Sequence, residues 1–191
     1  RHKQVGKKKI IMNLQEKTTA NYSEKNDSLL KSESYLTKLT LLNQKILLKH
    51  LNWCKTARPK QITPSGDWNV WLILAGRGWG KTRTGAQDIA FYGLTKPNSR
   101  IAIVTPTFGD GRDTCIEGVS GLLGCIDREL IENWNRSIGE LVLKNGTVYK
   151  TFSAEQPDRL RGPQFHRAWC DELGSWKNAE AWDQLLFGLR L

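Results

Sequence analysis

The stretch from Val70 to Gly85, VWLILAGRGWGKTRTG, limits what this chain can fold into more than any other. Its five leading apolar residues, Val70-Trp71-Leu72-Ile73-Leu74, predict a buried β-strand. The run breaks at Gly76-Arg77-Gly78-Trp79-Gly80, and Lys81-Thr82 then open a helix expected to reach about Tyr92. Strand, glycine-rich turn and helix in that order are the setting a phosphate-binding loop requires. Glycines let backbone N–H groups turn inward around an anion, and the helix N-terminus adds partial positive charge. Lys81 has the reach for β- and γ-phosphates, and the Thr82 hydroxyl suits a bound Mg²⁺.

The pattern G-x-x-x-x-G-K-[ST] puts its first glycine at position 75, where this chain has Ala75. Alanine fits wherever φ is negative, so the loop is altered and not lost. The plain alternative is a glycine-rich turn that happens to precede a Lys-Thr pair. Three glycines set between a strand and a helix favour the nucleotide-phosphate reading.

The formal net charge of +10 suggests a nucleic-acid partner until its position is considered. Residues 1–60 hold 14 Lys/Arg against 4 Asp/Glu, and the remainder holds 15 against 15. The phosphate-loop part is therefore balanced, and bulk charge does not carry a DNA-binding argument. Residues 1–35 are basic, polar and poor in apolar side chains, which predicts a disordered leader. The first methionine is Met12, so the leader reads as sequence from upstream. No apolar run approaches the roughly 18–20 residues that span a bilayer. Cys54, Cys115, Cys125 and Cys170 lack C-x-x-C spacing and a histidine partner at zinc spacing. Scattered reduced thiols and a cytoplasmic setting are expected.

Residues 36–56 predict a helix, with Leu36, Leu39, Leu42, Ile46, Leu47 and Leu51 near one face, most simply covering the edge of the next domain. Pro59, Pro64 and Ser65-Gly66-Asp67 mark a loop into the first strand, and Gln61 within it has an amide able to read an adenine edge. Ile101–Val104 predicts another buried strand, and a helix is expected from about Asp110 to Leu123 with Ile116, Val119 and Leu122/Leu123 inward. Glu140–Lys144 and Thr147–Phe152 alternate around Asn145-Gly146, a hairpin signal. The element order argues for α/β architecture with a mainly parallel sheet and a hairpin insertion.

Phe165–Cys170 followed by Asp171-Glu172 reads as a short buried strand ending in two carboxylates. Ligands sit at the carboxyl ends of strands in open α/β sheets. Asp171 would hold Mg²⁺ through its water shell, and Glu172 would polarise an attacking water. A solvated acidic pair at a strand end is the ordinary alternative, and the phosphate loop upstream outweighs it. Arg77, inside the loop, is the first choice for the arginine that stabilises transferring charge, ahead of Arg161, with Arg159 and His166 structural.

Taken together, ARPKQ (57–61), GDWNVWLILAGRGWGKTRTGAQ (66–87), VTPTFGDGRDTCIEGVSGLL (104–123), FSAEQPDRLRGPQFHRAWCDELGSW (152–176) and WDQLLFGLRL (182–191) resemble the ATPase domain of tailed-bacteriophage large terminase subunits. The resemblance implies a RecA-like P-loop domain of the additional-strand type over residues 57–191 that hydrolyses ATP with Mg. It implies phosphate contacts at Ala75, Gly76, Arg77, Gly78, Trp79, Gly80 and Lys81. It also implies Mg²⁺ at Thr82 and Asp171, catalysis by Glu172 and adenine recognition by Gln61. Its implied partners are double-stranded DNA, a portal protein, a small terminase subunit and further copies in a ring. Relatives continue into a coupling motif, at least one more strand and a nuclease domain, so the chain reads as an N-terminal fragment. A prophage-derived remnant that binds nucleotide without turnover, and another RecA-like DNA-translocating ATPase, are the competing expectations.

Overall fold

The computed structural model describes residues 41–191. The expected disordered leader, and the start of the helix expected over 36–56, lie outside the described residues. The chain divides into two compact units at Leu47/Leu48. Of the first unit, the described part is the opening of helix α1 (Leu41–Thr56). The second unit, Leu48–Leu191, holds everything that follows.

That unit is built on a five-stranded sheet: β1 (Arg100–Thr105), β2 (Ile131–Asn135), β3 (Glu140–Leu143), β4 (Val148–Ser153) and β5 (Arg167–Cys170), in the order β2-β3-β4-β1-β5. β1 runs parallel to both β4 and β5, while β2, β3 and β4 pair antiparallel. The hairpin expected as an insertion therefore extends the sheet itself, making it mixed. Asn145-Gly146 form its turn as the sequence suggests, with Gly146 at φ 82°. The β2 strand ahead of it was not legible.

Helices cover both faces. On β1, Ala102 and Val104 point to one side, where they join Phe152, Leu160, Phe165, Ala181 and Leu185 in a buried cluster closed by helix α3 (Glu180–Gly188). Ile101 and Ile103 point to the other side with Tyr149, the partner of Ile101 across the sheet. Helix α2 (Lys81–Thr95) packs there through Ala86, Ile89 and Ala90, and the Tyr149 hydroxyl donates to the Ile89 carbonyl at 3.1 Å. The predicted helix after the glycine-rich turn is thus present and extends one turn further. Small residues set its distance from the sheet, because Gly85 lies against the Trp169 indole and Gly93 against the Tyr149 hydroxyl.

Two expectations need correction. Val70–Leu74 forms no strand, and Val70, Leu72 and Leu74 are exposed by 54%, 64% and 85%. The alternation of a strand survives, since Trp71 and Ile73 are half-buried between them. Apolar composition favours burial, but a strand exists only where neighbours accept its N–H and C=O groups. No such neighbour is present among the described residues. The helix expected over 110–123 is also shorter. Thr107 caps a turn at Phe108–Asp110 that widens into a π-type segment, Gly111–Ile116. The chain then turns at Gly118 and Gly121, where any Cβ would strike carbonyl oxygens at 2.5–2.9 Å. Ile116 and Leu122 are buried as expected, whereas Val119 is 99% exposed on the turn.

Gly93 gives a prediction whose sign is set by packing. Glycine to alanine inside an exposed helix gains about 1 kcal/mol. Here the added Cβ would lie 2.1 Å from the Tyr149 hydroxyl, inside a close-packed interior. Gly93→Ala is expected to lower stability by about 1–3 kcal/mol in urea denaturation. A variant as stable as the parent would contradict this packing.

Candidate functional site

The carboxyl ends of β1 and β5 lie side by side, and the loop that precedes α2 comes to the same edge. The loop is held open by its backbone. Gly78 and Gly80 sit at φ 77° and 92°, a region costly for any residue with a Cβ. Trp79 N–H bonds the Gly76 carbonyl at 3.4 Å, closing the turn. Among non-glycine described residues, positive φ occurs only at Asn98 and Glu172, so Ala75 fits its position without strain.

Lys81, the first residue of α2, folds back over the turn. Its Nζ donates to the Ala75 carbonyl at 3.1 Å and lies 3.5 Å from the Gly76 carbonyl and 3.8 Å from Glu172 Oε1. The structure thus brings together the two residues the sequence proposed as phosphate ligand and catalytic carboxylate. Thr82 is half-buried one residue along α2, and Arg77 is exposed at the tip of the turn.

Asp171 follows β5 directly, and its N–H continues the ladder to the Val104 carbonyl at 2.9 Å. Its side chain is buried, and burial raises its pKa above the usual carboxylate value. The Cys115 thiol opposes that rise by donating to Oδ2 at 3.6 Å, and the charge of Lys81 opposes it further. Its own burial, and after that the same carboxylate, push the Cys115 thiol far up, so it remains a protonated donor. The Trp176 indole fixes the Asp171 carbonyl at 3.1 Å. Glu172 stands at φ 47° and its side chain is 57% exposed. A glutamate in the left-handed region costs on the order of 1–2 kcal/mol, and such strain collects at functional positions.

Gln61 is buried against this loop. Its Nε2 donates to the Trp79 carbonyl at 3.1 Å and to Thr84 Oγ1 at 3.2 Å, and its Oε1 accepts the Arg58 N–H at 2.9 Å. Arg161 is engaged by Glu180 at 2.8 Å and Asp158 at 3.3 Å, and Arg159 is exposed. His166 joins the strand edge, its Nδ1 accepting the Arg100 N–H at 3.0 Å.

The sequence reading missed the groups that join these parts. Arg167, the first residue of β5, makes a two-pronged bond to Asp88 of α2, with Nε–Oδ2 at 2.9 Å and Nη2–Oδ1 at 2.7 Å. Thr63 of the preceding loop donates to the same carboxylate at 2.7 Å. The guanidinium carbon lies over the rings of Trp68 and Tyr92, 4.7 and 4.8 Å from their centroids. Three segments far apart in sequence meet on one charge pair, and no local pattern announces them.

The family model described as terminase large subunit, T4likevirus-type, N-terminal, matches residues 72–189. Two solved structures from Thermus phage P74-26 are similar, the large terminase ATPase domain and an arginine-to-alanine variant of it. The first is 19% identical at TM-score 0.46, covering 59% of this chain and 53% of that one. The second is 18% identical at TM-score 0.47, covering 60% and 50%. The chain therefore spans about half the length of those structures. No curated protein matches it.

The Arg167–Asp88 pair is largely shielded, its side chains 19% and 12% exposed, so removing one partner strands the other. Arg167→Met is expected to cost about 3 kcal/mol or more in chemical denaturation. Asp88→Leu added to it should recover a large part of that loss. A single variant as stable as the parent would show that the pair is not a joint.

Proposed function

The chain belongs to the terminase large-subunit family, T4likevirus-type, N-terminal, and on that premise we propose that it is an ATP-hydrolysing motor domain. The motor's work is the packaging of viral double-stranded DNA into a preformed capsid. The observation that carries this reading is the convergence of Lys81, Glu172 and Asp171 at one end of the sheet, beside a turn held open by two left-handed glycines. The triphosphate takes the place on the turn now filled by the Lys81 ammonium. Lys81 then exchanges backbone carbonyls for phosphate oxygens, and the amides at the start of α2 complete the cradle.

Glu172 leaves its contact with Lys81 and orients a water in line with the γ-phosphate, accepting its proton as the bond to the leaving oxygen breaks. Arg77, exposed at the tip of the turn, stabilises the charge that develops. The donors suit magnesium, which keeps most of its waters and needs only one or two protein oxygens. Asp171 offers a buried carboxylate that gains from a cation, and Thr82 offers a hydroxyl. A magnesium ion held by these oxygens would supply positive charge against the triphosphate. The portal protein, the small terminase subunit, DNA and further copies in a ring belong to the same proposal, as does a setting in the host cytoplasm. Among the described residues no helix is long and apolar enough to cross a membrane.

One observation favours a second reading, a chain that binds nucleotide without turning it over. Val70–Leu74, which leads straight into the turn, has no strand partner among the described residues. Rate acceleration depends on groups held within a fraction of an ångström. Nucleotide binding and hydrolysis, with and without duplex DNA, separate the two. Lys81→Ala should abolish both. Glu172→Gln should keep binding within a few-fold and lower turnover at least 100-fold. Parent turnover retained in Glu172→Gln would remove the role given to that residue. Binding without turnover in the parent chain would establish the second reading.

A further inference from the structure

We propose that Arg58 and Gln61 are positioning residues of the phosphate loop, acting through the Trp79 carbonyl. The inference rests on the phosphate-site reading above and adds to it the device that orients the loop's last peptide.

The Trp79 carbonyl accepts two donors, Arg58 Nη1 at 2.7 Å and Gln61 Nε2 at 3.1 Å. The Trp79–Gly80 peptide is trans, as are all the described peptides. In a planar trans peptide the C=O and the following N–H point in opposite directions. Pulling the Trp79 oxygen toward Arg58 and Gln61 therefore turns the Gly80 N–H to the other side of the peptide, away from the brace. A free glycine-rich turn rotates this peptide at little cost, and two donors on one oxygen remove that freedom.

The rest of the contact set acts the same way. Gln61 Nε2 also donates to Thr84 Oγ1, whose hydroxyl in turn donates to the Gly80 carbonyl at 2.9 Å. Thr84 N–H bonds that same carbonyl at 3.0 Å. The two carbonyls that flank Gly80 are both held, one through Gln61 and Arg58 and the other through Thr84. A Cβ at Gly80 would lie 2.9 Å from Gln61 Nε2, so the brace closes directly on this residue. Gln61 is itself locked, because its Oε1 accepts the Arg58 N–H across the short 3₁₀ turn Pro59–Gln61. Both hydrogens of its amide are used, and the side chain is only 7% exposed. A glutamine spent in this way orients the loop.

The test uses a ligand with no base. Affinities of the chain for ATP and for inorganic tripolyphosphate are measured by titration calorimetry, in the parent and in Gln61→Met. Methionine keeps the volume and removes both donors. The proposal expects both affinities to fall by a similar factor, about tenfold, as for loss of a hydrogen bond of about 1.4 kcal/mol. A fall for ATP with tripolyphosphate unchanged would assign Gln61 to the base and overturn the proposal. Unchanged affinity for both would overturn it as well.

Arg58 is exposed and supplies a variant that leaves the packed interior alone, should Gln61→Met fail to fold. Arg58→Met, titrated at about 0.5 M salt to screen the lost charge, should weaken both ligands together. Arg58→Lys, which keeps a donor, should restore them. Equal affinities in Arg58→Met and parent would count against the brace. A parent chain that binds neither ligand would instead remove the phosphate-site reading, and this inference with it.

Discussion

The bond between Arg167 and Asp88 is the joint on which the rest of the site depends. β5, which ends in the two carboxylates, and α2, which begins with Lys81 and Thr82, come from opposite ends of the domain's sequence. The pair fastens one to the other, and Thr63 brings in the loop that carries Gln61. Its geometry is the strong kind. Two parallel N–H···O bonds link a planar guanidinium to a carboxylate, and the rings of Trp68 and Tyr92 add cation–π contacts. Buried charges contribute little net stability when paired, and much instability when one is removed. Such a pair is better suited to fixing register than to adding to total stability. Here the register is that of the glycine-rich turn against the acid strand.

With that register fixed, the loop needs little of its own. Two left-handed glycines shape it, the Trp79 carbonyl is held from outside, and Lys81 bridges it from inside. Opposed to these are two costs, the strained backbone at Glu172 and the burial of Asp171. Both lie at the same end of the sheet as Lys81, whose charge partly offsets them. Strain and a buried carboxylate beside an ammonium are features that collect at functional sites.

Much of this was legible in the sequence because it is written locally. The glycine-Lys-Thr run, the apolar strand Ile101–Val104, the Asn145-Gly146 turn and the acid pair after Phe165–Cys170 each combine a pattern with a mechanism. Long-range pairing was not legible. Val70–Leu74 has strand composition, yet a strand is a relation between neighbours, and composition does not reveal a missing one. The helix expected over 110–123 failed where Gly118 and Gly121 outweighed the apolar spacing. Gln61 was read from its amide chemistry alone. Its contacts to Trp79 and Thr84, 18 and 23 residues away, could not be read, because only folding brings them together. Arg58, Asp88 and Arg167 were invisible for the same reason.

The central claim is that one preformed site takes a nucleotide's phosphates at the turn before α2. Amide hydrogen exchange of the whole chain, with and without saturating Mg·ATP, tests it most directly. The account predicts added protection at residues 76–82 and at 171–172, with the segment around Thr63 and Asp88 already protected in the free chain. Protection that appears elsewhere, or an absence of added protection at the turn while nucleotide is bound, would contradict it.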